Sequence, residues 1–343
     1  MFRSIKRHRV LRQVANLAAQ KQHSEAIALL MSENVKIPCF EFERVLIGLR
    51  YDAFFASSHS PSATPWPPAA NDQFATSLGI PEVSPEQLNA DAVRSAVIHR
   101  GSLIVRGLFN ENETSLLRDS IDRAYADHDQ TLAGSTKTSR WFTPFVPTPH
   151  EGVNTTIKRD WFRDSGAELA ADSPRGLFNI ISCFQNHKII DLVAEYLEER
   201  PALSVRKTSL RRVRHDQTET GWHQDGSFLG QGIRSLNVWV ALTDCGIDAS
   251  SMEMVPRRLH EIVATGTAGA LMTWTVSPHV VNEAAQDTPP VHLQFKAGDA
   301  ILFDEMNLHR TSSSPNFTKD RYAIEAWFFA PSSYPLDQLP LMV

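Results

Sequence analysis

Hydrophobic side chains recur at helical spacing in the first 55 residues of the chain. Apolar positions three and four residues apart mark one face of an α-helix. The first series is Val10, Leu11, Val14, Leu17 and Ala18, and the second is Ala26, Ile27, Leu30 and Met31. Between them, Gln22, His23 and Ser24 predict a turn, with Ser24 as the N-cap of the second helix. We therefore expect residues 1–60 to form a helical N-terminal extension.

Prolines dominate the segment that follows this extension. Six of the 20 prolines lie between residues 57 and 85, together with many serines and alanines. Proline lacks the amide donor that helices and sheets require, so this composition is typical of a linker or an extended wrap. We predict a proline-rich linker over residues 61–89.

From about residue 90 the pattern changes to short apolar runs, which favour strands. Ser102–Arg106 predicts a strand, and Asn110 with Glu113 predicts a capping box at the start of the next helix. A helix over 186–199 follows, and then strands over Leu203–Val213, Ser235–Leu242, Val291–Phe295, Ala300–Phe303 and Tyr322–Phe329. Many short strands behind leading helices indicate a β-sandwich, a barrel or a jelly roll, so residues 90–343 are predicted to form one domain.

Charge is distributed unevenly along the 343 residues. The net charge is −5, yet residues 1–24 carry six Lys and Arg side chains and no acid. The remainder carries 28 basic and 39 acidic side chains. An acidic body does not attract nucleic acid through its overall field, so no nucleic-acid partner is expected.

No run approaches the roughly 18 apolar residues of a membrane span, so no membrane partner is expected either.

Three widely separated cysteines, Cys39, Cys183 and Cys245, exclude a disulfide framework and are typical of a reducing compartment. We therefore predict a cytoplasmic protein. An organelle presequence at residues 1–24 is the alternative, because that segment is basic and free of acids.

The segment from Gly221 to Gly226 contains the most informative pair of side chains, His223 and Asp225. Residues two apart on a strand project from the same face. An imidazole and a carboxylate on one face suit a divalent metal, and two histidines with one carboxylate are the ligand set of non-haem Fe(II) oxygenases. The alternative is a structural histidine that is hydrogen-bonded to the nearby aspartate.

Arg321 opens an otherwise apolar strand, 12 residues after His309. A buried guanidinium requires an anionic partner, and its planar fork matches a carboxylate. Asp320 or Glu325 would serve as an ordinary structural partner. A carboxylate-bearing ligand is the other interpretation.

The order of His223-x-Asp225, Gly298-Asp299, His309 and Arg321 resembles the phytanoyl-CoA dioxygenase family of Fe(II)/2-oxoglutarate oxygenases. The resemblance spans about residues 90–331. Many members carry Pro-Gly-Ser-His where this chain has the segment 256–260, Pro-Arg-Arg-Leu-His, so the substrate-side wall differs. The resemblance implies an α+β fold with a double-stranded β-helix core, jelly-roll or cupin-like, and flanking helices.

The resemblance also implies a chemistry. The chain would use Fe(II), 2-oxoglutarate and O2 to hydroxylate, desaturate or epoxidise a small molecule, releasing succinate and CO2. The implied catalytic iron ligands are His223, Asp225 and His309, with Arg321 as the clamp for 2-oxoglutarate and Thr311, Ser312 and Asn237 as further co-substrate contacts. Lys207, Ser209 and Arg211 alternate on one strand face, which could line the same cavity or face solvent.

Residues 134–165 form a long segment without period in which aromatic and cationic side chains alternate. These are Trp141, Phe142, Phe145, Trp161 and Phe162 with Lys137, Arg140, Lys158, Arg159 and Arg163. Such a segment could cover an anionic or amphipathic metabolite or natural-product intermediate. Alternatively, its aromatic side chains pack on the core.

Two other classes of function compete with the oxygenase. A non-oxidative metal enzyme of the cupin type would use the same three ligands, but it would leave Arg321 without a role. A non-catalytic binding protein on the same scaffold would use the helices of residues 1–55 as its partner surface. Neither a specific substrate nor an oligomeric state follows from the sequence.

Overall fold

The computed structural model of the chain describes residues 2–60, 62–217, 220–230 and 232–343. Pro61, which belongs to the predicted linker, lies outside the described residues. The same holds for the side chain of Arg3 in the basic N-terminal segment.

Helices and strands alternate through most of the chain. The helices are α1 (Phe2–Ala19), α2 (His23–Lys36), α3 (Phe40–Ala56), α4 (Ala90–Arg100), α5 (Glu111–Leu132), α6 (Arg159–Asp164), α7 (Pro174–Asn186), α8 (Ile189–Leu197), α9 (Gly226–Leu229) and α10 (Pro278–Ala285). The strands are β1 (Glu82–Val83), β2 (Ser102–Val105), β3 (Ala167–Leu169), β4 (Ala202–Val213), β5 (Ser235–Ala241), β6 (Met252–Arg258), β7 (Val291–His292), β8 (Ala300–Phe303), β9 (Asn307–Thr311), β10 (Arg321–Phe329) and β11 (Pro340–Met342).

The helical prediction for the N-terminal residues is confirmed by α1, α2 and α3. The predicted cap is wrong, because α2 begins at His23, after Gln22, and no side chain caps it. Successive helices pack on one another, and α3 also packs on β11 and α7. The capping box is confirmed: Asn110 Oδ1 accepts a hydrogen bond from the Glu113 amide, and Glu113 Oε2 accepts one from the Asn110 amide.

The described strands form a sheet of eight and a sheet of three. The large sheet runs β1-β2-β8-β5-β10-β4-β11, with β3 paired to β4, and the small sheet runs β7-β6-β9. All neighbours are antiparallel except β1 and β2. This is a mixed α and β fold built on a large sheet, as the sequence predicts at that level.

Alternation along β10 divides the core into two sides. Ile324 and Phe328 face outward, where α4, α5, α7 and α8 cover the large sheet. Ala323 and Trp327 face the opposite way and share a hydrophobic cluster with Met254 of the small sheet. The functional side chains described below lie on this inner side.

Several elements differ from the sequence prediction. The helix expected over 186–199 is present as α8. The preceding helix α7 was not predicted, and it ends at Asn186, just before Lys188, which has a left-handed conformation with φ of 55°. Two strands of the small sheet, β6 and β9, were not predicted, because arginines and histidine interrupt their apolar pattern. None of the helices in the described part of the chain has the length and apolarity needed to cross a bilayer.

Candidate metal centre and co-substrate site

Side chains from two separate stretches of backbone meet on the inner side of the small sheet. One ligand atom each from His223, Asp225 and His309 lies within 4.8 Å of the other two. Asp225 Oδ2 is 3.6 Å from His309 Nε2, and the two imidazole centroids are 4.5 Å apart. Spacings of this kind leave room for one metal ion between the three groups.

Backbone pairing brings the two histidines together. His223 and His309 exchange both amide-to-carbonyl hydrogen bonds, at 2.9 and 3.0 Å, in an isolated antiparallel bridge. Asp225 has helical backbone angles and directly precedes α9, the single helical turn that follows. The expectation that His223 and Asp225 alternate along a strand is therefore wrong: a bridge and a helical turn place them instead.

Hydrogen bonds fix the orientation of both imidazoles. His223 Nδ1 lies 3.0 Å from the Gly221 carbonyl oxygen, and His309 Nδ1 lies 3.1 Å from that of Asn307. A carbonyl oxygen only accepts, so each Nδ1 carries the proton and each Nε2 keeps its lone pair. This is the tautomer that metal-binding histidines adopt when the other ring nitrogen is held by a backbone carbonyl.

Electrostatics favour the protonation states of metal ligands. Burial, followed by the neighbouring His309, lowers the pKa of His223 to about 4, and burial also lowers the pKa of His309. Burial acts to raise the pKa of Asp225, but Lys207 and the two imidazoles outweigh it and lower that pKa to about 2. Two neutral imidazoles and one carboxylate result.

Lys207 holds the oxygen of Asp225 that does not face the histidines. Its Nζ donates to Asp225 Oδ1 at 2.5 Å, whereas Oδ2 is the atom close to His309. The two carboxylate oxygens therefore have separate surroundings. The sequence left a cavity face and a solvent face as alternatives for Lys207, and this contact corresponds to the cavity face.

Arg321 is buried on the inner side of the large sheet and is 1% exposed. Its Nη1 donates to the Ser251 carbonyl at 3.4 Å, while Nε and Nη2 have no hydrogen-bond partner within the described residues. Both structural partners considered from the sequence are engaged elsewhere, Asp320 by His215 and Glu325 by Arg211. Burial, and then nearby Arg211, lowers the pKa of Arg321 to about 10.

The other predicted co-substrate contacts lie around Arg321 and the histidines. Asn237 is buried on β5, and its Oδ1 has no hydrogen-bond partner among the described residues. Ser312 pairs with Ser251, the residue whose carbonyl Arg321 contacts. Thr311 lies two residues after His309 on β9, so strand alternation puts it on the same face.

The glycine and aspartate of the Gly298-Asp299 motif serve a structural purpose here. Asp299 accepts hydrogen bonds from Arg106 and from the Gly107 amide, at 2.7 and 2.8 Å. Gly298 has φ of 96°, and a Cβ there would come within 2.1 Å of the Phe109 carbonyl oxygen. The motif therefore ties the start of β8 to the end of β2, and it lies apart from the three candidate ligands.

The segment 134–165 does not supply its aromatic side chains to this site. Phe142 stacks on His128 of α5, and Trp141 lies under Arg123 of the same helix. Arg140 is paired with Glu43. The segment packs on the helical side of the molecule, so the alternative stated above, packing on the core, describes these contacts.

Two aromatic side chains that the sequence did not single out lie beside His223. The Phe228 ring is 6.1 Å from the imidazole at 27°, and the Trp274 ring is 5.8 Å from it at 73°. Phe228 lies three residues after Asp225, so its nearness in sequence to a candidate ligand could have indicated its place at the site. Trp274 is distant in sequence, and its position follows from tertiary structure.

The sequence matches a family model over much of its length. The phytanoyl-CoA dioxygenase (PhyH) model covers residues 98–322, more than half of the chain. The chain belongs to the phytanoyl-CoA dioxygenase family. It is therefore a non-haem Fe(II)/2-oxoglutarate-dependent enzyme that uses O2, as the sequence resemblance implied. No curated protein matches the sequence.

Solved structures with a similar arrangement include other iron and 2-oxoglutarate enzymes. EctD from S. alaskensis, crystallised with 2-oxoglutarate and 5-hydroxyectoine, is 16% identical; the match covers 73% of this chain and 78% of that chain, with a TM-score of 0.49. The epimerase SnoN from nogalamycin biosynthesis is 18% identical, with 70% and 82% covered and a TM-score of 0.44. The carbocyclase SnoK from the same biosynthesis is 15% identical, with 72% and 86% covered and a TM-score of 0.45.

Proposed function

We propose that the protein oxidises a C–H bond of a small molecule, with His223, Asp225 and His309 holding Fe(II) and Arg321 holding 2-oxoglutarate. The expected reaction is hydroxylation, or desaturation or epoxidation of the same substrate, with release of succinate and CO2. The finding that supports it best is the buried guanidinium of Arg321, which has two nitrogens without a hydrogen-bond partner and lies on the same inner side of the fold as a cluster of metal-ligand side chains.

The residues present fit the implied metal. Two neutral imidazoles and one carboxylate suit Fe(II) and leave coordination positions open for a co-substrate and oxygen. The Nε2 atoms of both histidines and Oδ2 of Asp225 are the atoms that would bind the ion. When bound, iron supplies the oxygen chemistry that side chains alone lack.

The unpartnered nitrogens of Arg321 fit one end of 2-oxoglutarate. A guanidinium offers two parallel N–H donors that match a carboxylate. Buried polar groups are normally satisfied, so the two orphan donors support a ligand that completes their hydrogen bonds. We assign Asn237, Thr311 and Ser312 as secondary contacts of the same molecule. Asn237 Oδ1 has no hydrogen-bond partner among the described residues, Thr311 shares a strand face with His309, and Ser312 is bonded to the residue whose carbonyl Arg321 contacts.

The rest of the chain has a supporting role in this proposal. The inner faces of the two sheets would form the double-stranded β-helix core of a domain over residues 90–343. Residues 1–60 would be a helical extension and 61–89 a linker that wraps the body.

The substrate is proposed to be a small metabolite or natural-product intermediate, anionic or amphipathic. The free thiols of Cys39, Cys183 and Cys245 fit a reducing compartment such as the cytoplasm.

The proposed function is tested by following succinate formation. Purified protein is reconstituted with Fe(II), supplied with 2-oxoglutarate, and exposed to oxygen with a panel of small molecules. We expect oxygen-dependent succinate that rises with at least one compound. The loss of this activity in Asp225→Ala, but not in Asp244→Ala at the exposed Lys296 pair, would support the assigned ligand. Full activity in Asp225→Ala would contradict it.

A further inference from the structure

We propose that Phe228 and Trp274 form an aromatic rim that binds a planar, apolar part of the substrate beside His223. This inference rests on the proposed function and extends it, because it names the chemical class of the substrate. The term aromatic rim is used below for these two side chains only.

The two rings flank the same imidazole from different directions. Phe228 is nearly parallel to His223, with centroids 6.1 Å apart, and Trp274 is nearly perpendicular to it, at 5.8 Å. A molecule that lies against both rings is therefore within a few ångströms of the candidate metal ligands. That is the distance at which a C–H bond has to be presented to the reactive centre.

Both rings are exposed although they belong to a well-packed region. Phe228 is 43% exposed and Trp274 is 39% exposed, while the neighbouring Leu271 and Met272 are 51% and 52% exposed. Water contact with two large rings that both lie beside His223 is unfavourable, and exposed apolar patches mark binding surfaces. A ligand with a planar apolar body would cover the rings and gain stacking energy.

The backbone holds Phe228 in place through the same elements that position Asp225. Phe228 lies in α9, and its amide donates to the Asp225 carbonyl at 3.1 Å. The first amide of α9, that of Gly226, donates to the Glu305 carbonyl at 2.9 Å. The Lys207 ammonium that pairs with Asp225 lies 4.4 Å from the centroid of the Phe228 ring. The ring is therefore placed before any ligand arrives.

The loop that carries Trp274 is fixed just as firmly. The Val276 amide donates to the Trp222 carbonyl at 2.8 Å, which joins the loop to the residue before His223. Thr275 is fully buried against Gly221, where a Cβ would come within 2.2 Å of the threonine Cγ2. A rim that is built in advance loses little conformational entropy when it binds a ligand, which favours affinity.

The test uses 2-naphthoate and gluconate, two monocarboxylates of which only the first has an aromatic ring system. The protein is loaded with Fe(II) and 2-oxoglutarate without oxygen, and binding of each probe is measured by the NMR line broadening that the iron causes. We expect 2-naphthoate to bind at least tenfold more tightly than gluconate. Phe228→Ala and Trp274→Ala should each weaken 2-naphthoate at least fivefold, while Phe228→Tyr and Trp274→Phe stay within about twofold.

Trp161→Ala serves as the matched control, because Trp161 is 61% exposed on α6 and its ring contacts Phe162 rather than His223. Equal affinity for both probes, or an equal loss in Trp161→Ala and Trp274→Ala, would overturn the aromatic rim. The affinity for 2-oxoglutarate is measured in the same samples. If the wild-type protein binds neither Fe(II) nor 2-oxoglutarate, the proposed function fails and the rim with it. If both bind but the rim variants have no effect, only the rim fails.

Discussion

Arg321 illustrates how a single residue can reveal a ligand. A buried charged group without partners is costly, and removing water from a guanidinium is repaid only by hydrogen bonds of good geometry. Arg321 lies over the Trp239 ring and makes one long hydrogen bond to a backbone carbonyl, and two of its nitrogens have no hydrogen-bond partner among the described residues. The fold tolerates this cost in the absence of ligand, so a bound carboxylate should stabilise the protein noticeably.

Replacing Arg321 separates ligand binding from folding. In Arg321→Met we expect the free energy of unfolding without 2-oxoglutarate to stay the same or rise, because an unsatisfied buried charge is removed. The affinity for 2-oxoglutarate should fall at least about 10- to 100-fold, since even one charged hydrogen bond contributes roughly 1.5–3 kcal/mol. Thermal unfolding with and without 2-oxoglutarate measures both effects. An equal ligand-induced shift in wild type and Arg321→Met would contradict the assignment, and Arg214→Met, at an exposed pair with Asp216, is the control.

Lys207 is a positioning residue that acts through Asp225. Because it binds Oδ1 and leaves Oδ2 toward His309, it orients the carboxylate as a ligand through one oxygen. Lys207→Met should lower Fe(II) affinity about tenfold, which is the size of effect that partners of metal ligands have. Anaerobic Fe(II) titration gives the dissociation constant. Lys296→Met, which breaks an exposed pair with Asp244, should change nothing; an unchanged affinity in Lys207→Met would remove its assigned role.

At the residue level, much of the site could be predicted and part of it could not. The sequence pointed to four residues because their types and their order along the chain are unusual: His223, Asp225, His309 and Arg321. Trp274 could not be found this way, because nothing in the local pattern tells where a loop far along the chain will pack. The aromatic residues of segment 134–165 carried the stronger sequence signal, yet Trp141 and Phe142 pack against α5 and Trp161 is exposed.

At the level of elements, the site depends on close contact between two short segments. The segment before His223 lies against the loop that contains Trp274, and only glycine at position 221 allows that approach. The same approach aligns the bridge between His223 and His309. Local packing and the metal site are therefore coupled.

Gly221→Ala tests this coupling. The new methyl group would overlap Thr275, so we expect a loss of about 1–3 kcal/mol in the free energy of unfolding, as for other overpacked sites. A lower Fe(II) affinity should accompany it. Gly48→Ala is the control, because a Cβ at that position in α3 meets nothing within 4 Å and should raise helix stability slightly. Urea unfolding measures the free energy of unfolding of both variants. An equal change in the two would show that the absence of a side chain at position 221 is not what allows the two segments to pack.

Strands were predictable where both faces are buried, and less so elsewhere. The central strands β5 and β8 are buried on both faces and match their predicted ranges closely. In β6 and β9 polar side chains occur on both faces. His309 lies opposite Met254 on the inner face, and Glu253 pairs with Arg310 on the outer face. Such strands show only a weak hydrophobic pattern in the sequence, because charged side chains that form cross-strand ion pairs interrupt it.

At the level of the whole molecule, the N-terminal helices are fastened to the body by a buried carboxylate. Glu43 of α3 accepts hydrogen bonds from Arg140, Arg175 and Asn34. These partners belong to the segment 134–165, to α7 and to α2. The sequence predicted the helices but not their docking, since ion pairs between distant segments leave no local signal.

Glu43→Ala should therefore destabilise the protein. We expect a loss of roughly 2–3 kcal/mol, below the 3–5 kcal/mol of fully buried pairs because both arginines are partly exposed. Glu33→Ala, which breaks pairs with the exposed Lys6 and Lys36, should cost less than about 1 kcal/mol. Chemical denaturation followed by circular dichroism measures both. If the two variants lost equal stability, Glu43 would not be the fastening contact.

The central claim is that one iron ion and one 2-oxoglutarate molecule bind together at His223, Asp225, His309 and Arg321. Anaerobic addition of Fe(II) and 2-oxoglutarate to the purified protein tests it most directly, because chelation of Fe(II) by the keto acid produces a visible charge-transfer absorption. We predict this absorption in the wild-type protein, its loss in Asp225→Ala, and a large increase in the 2-oxoglutarate concentration required in Arg321→Met. An absorption in Asp225→Ala equal to that of the wild type would contradict the account.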